Sequence, residues 1–168
     1  MTRLSAQKIL RYQQKPGWCG PAAIQMALAA GGIRKPQKDI ARAVYKSWWG
    51  TTQQAIFAYL SKYFKRLNFR ENSKLADVRY HLAKRHIVMV NWWDDFIPED
   101  IDGHYTLLVG YSQKTKKVKL VDPLSERGIW KMPIKDFRDR WYDKLDVQNK
   151  TWIEGWMLWL DPKSRINT

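Results

Sequence analysis

Cys19 is the residue of this chain whose type and position best suit covalent chemistry. It precedes the apolar run Gly20–Ala30, whose Ala, Met and Leu residues predict a buried helix. The N-terminus of a helix carries a partial positive charge and free N–H groups, and both stabilise a thiolate. The alternative is a buried, unreactive thiol, which is a common state of a lone cysteine. As the single cysteine, Cys19 excludes an internal disulfide and a zinc site built from several cysteines.

A nucleophilic cysteine requires a base and a group that orients the base. His104 stands at the start of a predicted strand, 105–109, and Asp122 directly follows another, 118–121. Antiparallel neighbours place the start of one strand beside the end of the next, so we expect Asp122 to return level with His104. This is the geometry of a base and its orienting carboxylate, although an aspartate before a proline is also an ordinary turn initiator.

The oxyanion that forms when a thiolate attacks a carbonyl needs hydrogen-bond donors. Gln13 lies six residues before Cys19, within reach of the thiol, and the adjacent Gln14 is an alternative donor. The remaining histidines suit the role of base less well. His81 falls among charged residues of a predicted helix and His86 follows at its end, so we expect both at the surface.

Three blocks of sequence carry these residues in a fixed order. They are Gln13 with Cys19-Gly20-Pro21-Ala22-Ala23, then Gly103-His104-Tyr105, then Val121-Asp122-Pro123. Together they resemble the papain-like cysteine peptidases of the C39 and C39-like group, the bacteriocin-processing type, from about Gln13 to Leu160. The resemblance implies that Cys19 is the nucleophile, His104 the general base and then acid, and Asp122 the orienting group. It also implies an oxyanion hole made by Gln13 and the backbone N–H of Cys19.

Hydrophobic periodicity predicts the elements that must position these residues. Besides the helix at Cys19, four helices are predicted. One spans 36–47, a second follows a cap at Thr51 or Thr52, a third begins at Ser73, and a fourth spans 133–141. Short β-branched or aromatic runs predict strands at 87–90, 105–109, 118–121, 129–132 and 155–160, with a hairpin connection at 112–117.

Helices first and mostly antiparallel strands afterwards predict an α+β domain with two layers. The resemblance implies the papain-like fold, in which an N-terminal helical part packs on an antiparallel β-sheet. With 168 residues we expect one domain over 1–168. Its first residues, 1–12, are expected to be extended, and 161–168 to form a flexible tail.

Tryptophans are the candidates for contacts with a substrate. The doublets Trp48-Trp49 and Trp92-Trp93 cannot each turn both rings inward on one regular element, so we expect one ring of each in a groove or on the surface. Trp18 and Gly103, beside the proposed nucleophile and base, complete the substrate-binding set with Trp92 and Trp93.

The net charge bears on the partners of the protein. Lys and Arg number 30 against 16 Asp and Glu, a net charge of +14. Such an excess favours polyanions such as RNA or an anionic membrane surface, although a solvated basic face explains it equally well. Two stretches, 62–70 and 114–119, concentrate the positive charge. One loop before His104 is acidic and would favour a basic peptide if it borders the site: Asp94, Asp95, Glu99, Asp100 and Asp102.

The leading hypothesis is a cysteine peptidase that cleaves peptide or protein substrates through a Cys-His-Asp triad and a thioester. The same groups suit transamidation or deamidation. A toxin or effector of the same fold that cleaves RNA, and a non-catalytic binding module, are the alternatives. No cofactor and no metal are expected. The sequence shows neither a membrane span nor the apolar core of a signal peptide, which predicts a cytoplasmic protein or a delivered effector.

Overall fold

A computed structural model describes residues 5–144 and 151–167 of the protein. In these ranges the helices are α1 (Ala6–Ile9), α2 (Cys19–Ala30), α3 (Gln37–Val44), α4 (Gln53–Leu60), α5 (Leu75–Ala83) and α6 (Ile134–Arg140). The strands are β1 (Tyr45–Lys46), β2 (Gly50–Thr51), β3 (Leu67–Arg70), β4 (Ile87–Asp94), β5 (Asp102–Ser112), β6 (Lys117–Val121), β7 (Ile129–Pro133), β8 (Tyr142–Lys144), β9 (Trp152–Glu154) and β10 (Met157–Leu160). A short 3-10 helix, Pro162–Ser164, follows β10.

The largest sheet is antiparallel and has the strand order β3-β10-β4-β5-β6-β7. From β5 to β7 each strand pairs with the one before it in the chain. The turn between β5 and β6 lies in the polar, lysine-rich segment predicted as a hairpin connection, with Ser112 paired to Lys117. The strands β1–β2 and β8–β9 form two small antiparallel pairs beside this sheet.

Helices cover both faces of the sheet, so the expectation of two layers is wrong. On one face, Ile87 and Met89 of β4 pack with residues of α1 to α4. On the other face, Val88 and Val90 pack with α5 and α6, which contribute Val78 and Phe137. An antiparallel strand with one solvated face alternates between apolar and polar residues. The unbroken apolar run 87–90 was the sequence signal that both faces of β4 are covered.

The helix α2 is enclosed by protein, as its uniformly apolar sequence predicts. Every residue from Gly20 to Leu28 except Gln25 is buried. Close packing at its start requires glycine, because a Cβ at Gly20 would lie 2.5 Å from the Cβ of Thr51 in β2. The first turn of α2 therefore lies directly against the β1–β2 hairpin.

Side chains at the starts of two helices bind backbone N–H groups there. Thr52 is the N-cap of α4, and its hydroxyl accepts a hydrogen bond from the N–H of Ala55 at 3.1 Å. The helix predicted from Ser73 begins at Leu75, and the Asp77 carboxylate accepts from the N–H of the preceding Lys74 at 2.7 Å. Both starts lie within two residues of the predicted positions.

The N-terminal segment 1–12 is not wholly extended. Within its described part, α1 forms one short helix, and Ile9 is only 2% exposed in the core. A single buried isoleucine leaves no periodic pattern in the sequence, which explains why the helix was not predicted. Residues 1–4 of this segment lie outside the described residues.

The segment 161–168, expected to be a flexible tail, is anchored where it is described. The N–H of Lys65 donates to the carbonyl of Ser164 at 2.9 Å, and the N–H of Ile166 donates to the carbonyl of Tyr63 at 2.8 Å. Ser164 is buried by these contacts. Thr168 lies outside the described residues.

The basic stretch 62–70 contains the unpredicted edge strand β3, which pairs with β10. Two of its arginines are held in ion pairs: Arg66 with Asp161 at 2.6 Å and Arg70 with Asp77 at 3.1 Å. No helix among the described residues is both long and apolar enough to cross a membrane.

Candidate active site

The thiol lies at the junction between helix and sheet. Cys19 is the first residue of α2 and is half-buried. The backbone N–H of a residue in the first turn has no acceptor within its own helix, which leaves it available to another group. Cys19 thus presents both its sulfur and a free donor near β5, one of the inner strands of the sheet.

His104 and Asp122 form a buried pair beside this thiol. His104 Nε2 lies 2.8 Å from Asp122 Oδ1. A carboxylate only accepts hydrogen bonds, so Nε2–H donates. The Cys19 side chain lies near the same imidazole and raises its pKa. Since Nε2 faces Asp122, Nδ1 is the ring nitrogen left for the thiol.

Electrostatics favour the charged form of both partners. Burial alone lowers the pKa of His104, but the Asp122 carboxylate and the Cys19 side chain outweigh it and raise this pKa to about 10. Burial alone raises the pKa of Asp122, but His104, the Leu124 N–H and Arg127 outweigh it and hold this pKa below its usual value. The result is an ion pair of imidazolium and carboxylate in a water-poor site.

Two residues that sequence reasoning missed hold the Asp122 carboxylate. Trp130 of β7 donates its indole N–H to Oδ2 at 3.1 Å, and the Arg127 guanidinium lies 3.6 Å from the same oxygen. The N–H of Leu124 donates to Oδ1 at 2.9 Å. Both oxygens of Asp122 are thereby fixed, and through them the plane of the His104 ring. No motif marks Arg127 or Trp130, since only the β6–β7 pairing brings them to Asp122.

The acidic residues before His104 divide between two roles. Asp94 ends β4, is buried, and receives two hydrogen bonds from Arg127, at 2.5 and 3.0 Å. It therefore supports the Arg127–Asp122 contact and does not border a groove. Asp95 pairs with Arg140 of α6 at 2.6 Å. Of the five acids, Asp102 lines the cavity described below.

Gln13 lies close to this pair through its backbone. Its N–H donates to the carbonyl of Pro123 at 2.8 Å, which ties the segment before α2 to the residue after Asp122. Its side-chain amide donates to the carbonyl of Lys15 at 3.4 Å, a long bond. The neighbouring Gln14 is exposed, and its N–H donates to Gln37 Oε1 at 2.8 Å.

A cavity of about 380 Å³ opens beside Cys19. The proposed substrate-binding residue Gly103 lines it, together with both rings of the Trp48-Trp49 doublet. Trp48 is 78% exposed at its rim. The lining otherwise comes from the segment before α2, the β1–β2 hairpin, α4, β5 and β8: Gly17, Tyr45, Ser47, Gly50, Thr51, Gln53, Asp102, Tyr105, Asp143 and Lys144.

The three tryptophans expected to bind substrate do not line this cavity. Trp92 is 0% exposed, so the expectation of a substrate contact there is wrong; its ring lies edge-on to His104, with centroids 5.5 Å apart. Trp92 faces the second core because every other residue of β4 points that way. Trp93 stacks on Tyr142 instead. Trp18 packs edge-on to Tyr45, which itself lines the cavity.

A polar network that the sequence did not predict lies beneath the cavity. Asn91 of β4 donates to the carbonyl of His104 at 3.2 Å and accepts from the Gln53 amide at 2.8 Å. Asn91 also lies near the Asp143 carboxylate and acts to lower its pKa, against the larger effect of burial. This carboxylate presses on the Cα of Gly103, where a Cβ would overlap it. The carboxylate of β8 and the strand that carries His104 are therefore in direct contact.

His81 and His86 are not the surface side chains that we expected. His81 is buried and stacks on Trp159 with centroids 4.2 Å apart, and its Nδ1 lies 2.9 Å from Nδ1 of His86. Burial lowers the pKa of both imidazoles. In the described part of the chain no three His, Cys, Asp or Glu residues form a group that could hold a metal ion.

Solved structures with this fold are peptidase domains. The peptidase domain of Streptococcus ComA, a bifunctional ABC transporter, is 14% identical with a TM-score of 0.66 over 90% of this chain and 96% of that one. A Bacillus anthracis protein described as a C39-like peptidase is 15% identical with a TM-score of 0.66 over 93% and 96%. A double-glycine motif protease from an AMS/PCAT transporter, in complex with its leader peptide, is 16% identical with a TM-score of 0.61 over 90% and 89%.

These similarities show the papain-like fold of C39 peptidase domains. No curated protein is significantly similar to the chain in sequence. The sequence profile of the Peptidase_C39-like family, however, matches residues 6–147, which include Cys19, His104 and Asp122. The chain therefore belongs to the Peptidase_C39-like family.

Proposed function

We propose that the protein is a cysteine peptidase that cleaves peptide bonds through a thioester intermediate. The observation that carries the proposal is the buried His104–Asp122 pair, joined at 2.8 Å, with the Cys19 side chain near enough to raise the pKa of the imidazole. Thiol, imidazole and carboxylate at one place are the parts that nucleophilic acyl transfer requires. Family membership supports the same reaction class.

The reaction takes two transfers. The Cys19 thiol gives its proton to His104 Nδ1, which forms the imidazolium of the ion pair described above, and the thiolate sulfur attacks the carbonyl carbon of the peptide bond. The carbon–nitrogen bond breaks, and the departing amine takes the proton from His104, which leaves an acyl group on sulfur. Water then gives a proton to His104 and its oxygen attacks the thioester carbon. The carbon–sulfur bond breaks, and the sulfur takes back the proton as the carboxylic acid is released.

Asp122 keeps the imidazole in the orientation that these transfers need. Because Nε2–H is bonded to the carboxylate, Nδ1 stays directed at the sulfur throughout. The charge of Asp122 also stabilises the imidazolium that forms when the thiol loses its proton. Trp130 and Arg127 act through Asp122 and are positioning residues.

The oxyanion is held by the backbone N–H of Cys19 and the side-chain amide of Gln13. The N–H is free of helical bonding, as described above. The Gln13 amide makes only a 3.4 Å bond to the Lys15 carbonyl, which is readily exchanged for a charged acceptor. Its backbone bond to Pro123 keeps it beside the pair during the exchange.

The carboxylates beside Cys19 favour a peptide over a nucleic acid. Asp102 and Asp143 both line the cavity, and both repel a phosphate backbone. The net charge of +14, which favours RNA, belongs to the whole chain, and no observation at this cavity supports RNA cleavage.

The proposal is tested by peptide hydrolysis and by trapping of the acyl group. We expect the parent protein to cleave members of a fluorogenic peptide library, and intact-mass spectrometry to detect an acyl adduct on Cys19 with a slow ester substrate. Cys19→Ala abolishes both signals. His104→Gln lowers hydrolysis at least about 1,000-fold, since it removes the general base.

His86→Gln is the matched control, because it removes an imidazole outside the cavity. It should hydrolyse peptides at the parental rate. Hydrolysis that persists after complete alkylation of Cys19 by iodoacetamide would contradict the proposal. Cleavage of total RNA by the parent but not by Cys19→Ala would replace it with the nuclease hypothesis.

A further inference from the structure

Two carboxylates beside Cys19 have no part in the proposed reaction. Asp102 at the start of β5 and Asp143 in β8 both line the cavity. Within the described ranges neither lies within 4 Å of a Lys, Arg or His nitrogen. The other cavity-lining charge, Lys144, has its ammonium over the rings of Trp93 and Trp152, at 5.0 and 5.8 Å from the centroids.

Asp143 is kept in an environment that penalises its charge. The residue is 9% exposed, and burial raises the pKa of its carboxyl to about 7, with the nearby Asp102 adding to the rise. The Lys144 N–H donates to Oδ1 at 2.6 Å, and the nearby Asn91 side chain partly offsets the rise in pKa. One hydrogen bond leaves acceptor capacity on a group that can take about four. A cation placed in the cavity would relieve the cost of the buried charge.

A second, independent observation is an unpaired hydroxyl in the same cavity. Thr51 lines it, is 8% exposed, and has its Oγ1 buried without a hydrogen-bond partner among the described residues. A Cβ at Gly20 would lie 2.7 Å from this oxygen, so it sits beside the residue that follows Cys19. Buried polar atoms are nearly always paired, so this hydroxyl calls for a partner, a water or a ligand group, beside the cavity.

Aromatic rings complete the walls. Tyr45, Trp48 and Trp49 also line the cavity, and they come from the β1–β2 hairpin and its turn. Tryptophan and tyrosine faces attract ammonium and guanidinium groups. Carboxylates, an acceptor hydroxyl and aromatic faces in one cavity are all suited to the same kind of ligand.

We propose that this cavity is a subsite for a cationic side chain, lysine or arginine, of the peptide that Cys19 attacks. Asp143 and Asp102 pair with the cation, Thr51 accepts one of its N–H bonds, and the aromatic rings cover its aliphatic stem. The inference rests on the proposed peptidase activity for its substrate, but the cation site itself can be measured without catalysis.

The first experiment measures the electrostatic preference of Cys19 with three methanethiosulfonates: the cationic 2-aminoethyl, the neutral methyl and the anionic 2-sulfonatoethyl reagent. Cys19 is the single cysteine, so intact mass reports its modification alone. Rates are divided by those of N-acetylcysteine. We expect the cationic reagent to react about tenfold faster than the neutral one, the effect of roughly 1.4 kcal/mol of attraction. The net charge of +14 on its own favours the anionic reagent, so a preference for the cation must come from the cavity.

The variants Asp143→Asn and Asp102→Asn should each reduce this preference at least about threefold, because each removes one attracting charge. Asp100→Asn is the matched control: it removes an acid two residues from Asp102 that does not line the cavity, and should leave the preference unchanged. Equal normalised rates for the three reagents would overturn the proposal. So would an unchanged preference in both Asp143→Asn and Asp102→Asn.

The second experiment separates the subsite from the activity. Matched fluorogenic peptides carry lysine or its uncharged analogue norleucine at each of the two positions before the scissile bond. We expect a higher kcat/KM for lysine at one position, and loss of that advantage in Asp143→Asn. Hydrolysis without any lysine preference would refute the subsite and leave the peptidase intact. A cation preference of Cys19 without hydrolysis of any peptide would refute the peptidase, and with it the substrate role of the cavity.

Discussion

Replacing Asp122 by asparagine removes one charge from the buried pair and leaves the shape of the side chain nearly unchanged. His104 owes its raised pKa first to this carboxylate, against a burial effect that acts in the opposite direction. In Asp122→Asn the burial effect stays and the opposing charge is lost. The pKa of His104 must therefore fall.

The size of the fall follows from the hydrogen bond. A bond to a charged acceptor is worth about 1.5–3 kcal/mol more than none, and 1.36 kcal/mol corresponds to one pKa unit. The 2.8 Å bond between His104 and Asp122 lies in the middle of the distance range for such pairs. We therefore expect the pKa of His104 to fall by at least about 1–2 units in Asp122→Asn.

The assay is an NMR titration of the three imidazoles by long-range proton–nitrogen correlation. Desolvation lowers the pKa values of His81, which is buried, and of His86, which is half-buried, so both titrate below 6.5. His104 alone should titrate above 6.5, which identifies its signal. Asp139→Asn, which removes an exposed acid paired with Lys135, is the control and should move none of the three.

Two results would refute the reasoning. One is a parent protein in which every histidine titrates at or below 6.5. The other is a shift of less than half a unit in Asp122→Asn, with a backbone spectrum that shows the variant to be folded. Either would mean that the carboxylate does not control the charge on His104.

The same pair links stability to pH. The pKa of His104 is higher in the folded state than its unfolded value near 6.5, so its stabilisation is complete below 6.5 and is lost as pH rises through the folded pKa. The pKa of Asp122 is lower than its unfolded value of 3.8, so its stabilisation is complete above 3.8 and is lost as pH falls. The difference in unfolding free energy between parent and Asp122→Asn should therefore be largest between pH 3.8 and 6.5, as urea unfolding at a series of pH values will show.

Three further substitutions test the surroundings of the site. Trp130→Phe keeps an aromatic ring but removes the indole N–H that is donated to Asp122. Urea unfolding should show a free energy of unfolding lower by about 2 kcal/mol. A loss below about 0.5 kcal/mol, the size of a typical surface change, would count against that hydrogen bond. Gly103→Ala introduces a Cβ that overlaps the Asp143 carboxylate. The free energy of unfolding should fall by about 1–3 kcal/mol, and iodoacetamide should alkylate Cys19 more slowly. A parental Tm and alkylation rate would show that β8 can move aside. Thr52→Ala removes the cap of α4 and should cost about 1 kcal/mol, whereas Thr52→Ser, which keeps the hydroxyl, should cost less.

The residues proposed for catalysis could be located from the sequence because each adjoins an apolar run. Cys19 begins one such run, and His104 and Asp122 flank two strands of one hairpin. The distance between these two strands in the chain is short, so antiparallel pairing was enough to bring base and carboxylate together. The roles of all three remain predictions until the variants are assayed.

The surroundings of the site could not be predicted in the same way. Arg127 and Trp130 reach Asp122 only across the β6–β7 pairing, and a side-chain contact of this kind leaves no periodic signal. Asp143 lies on the three-residue strand β8, too short to show alternation. Trp92 was assigned to the substrate because its neighbour is also tryptophan, whereas its place in β4 turns it into the core. Hydrophobic periodicity along the chain predicts helices and strands, whereas the contacts between their side chains depend on tertiary packing.

The three groups proposed for catalysis come from two different layers of the molecule. Imidazole and carboxylate are both carried by the β5–β6 hairpin, while the sulfur belongs to α2 in the helical layer above it. A small shift of that layer relative to the sheet would separate the sulfur from the imidazole but leave the His104–Asp122 hydrogen bond intact. The reactivity of the Cys19 thiol therefore reports how closely the helical layer packs on the sheet. On heating, this reactivity should decline before the far-UV circular dichroism signal does.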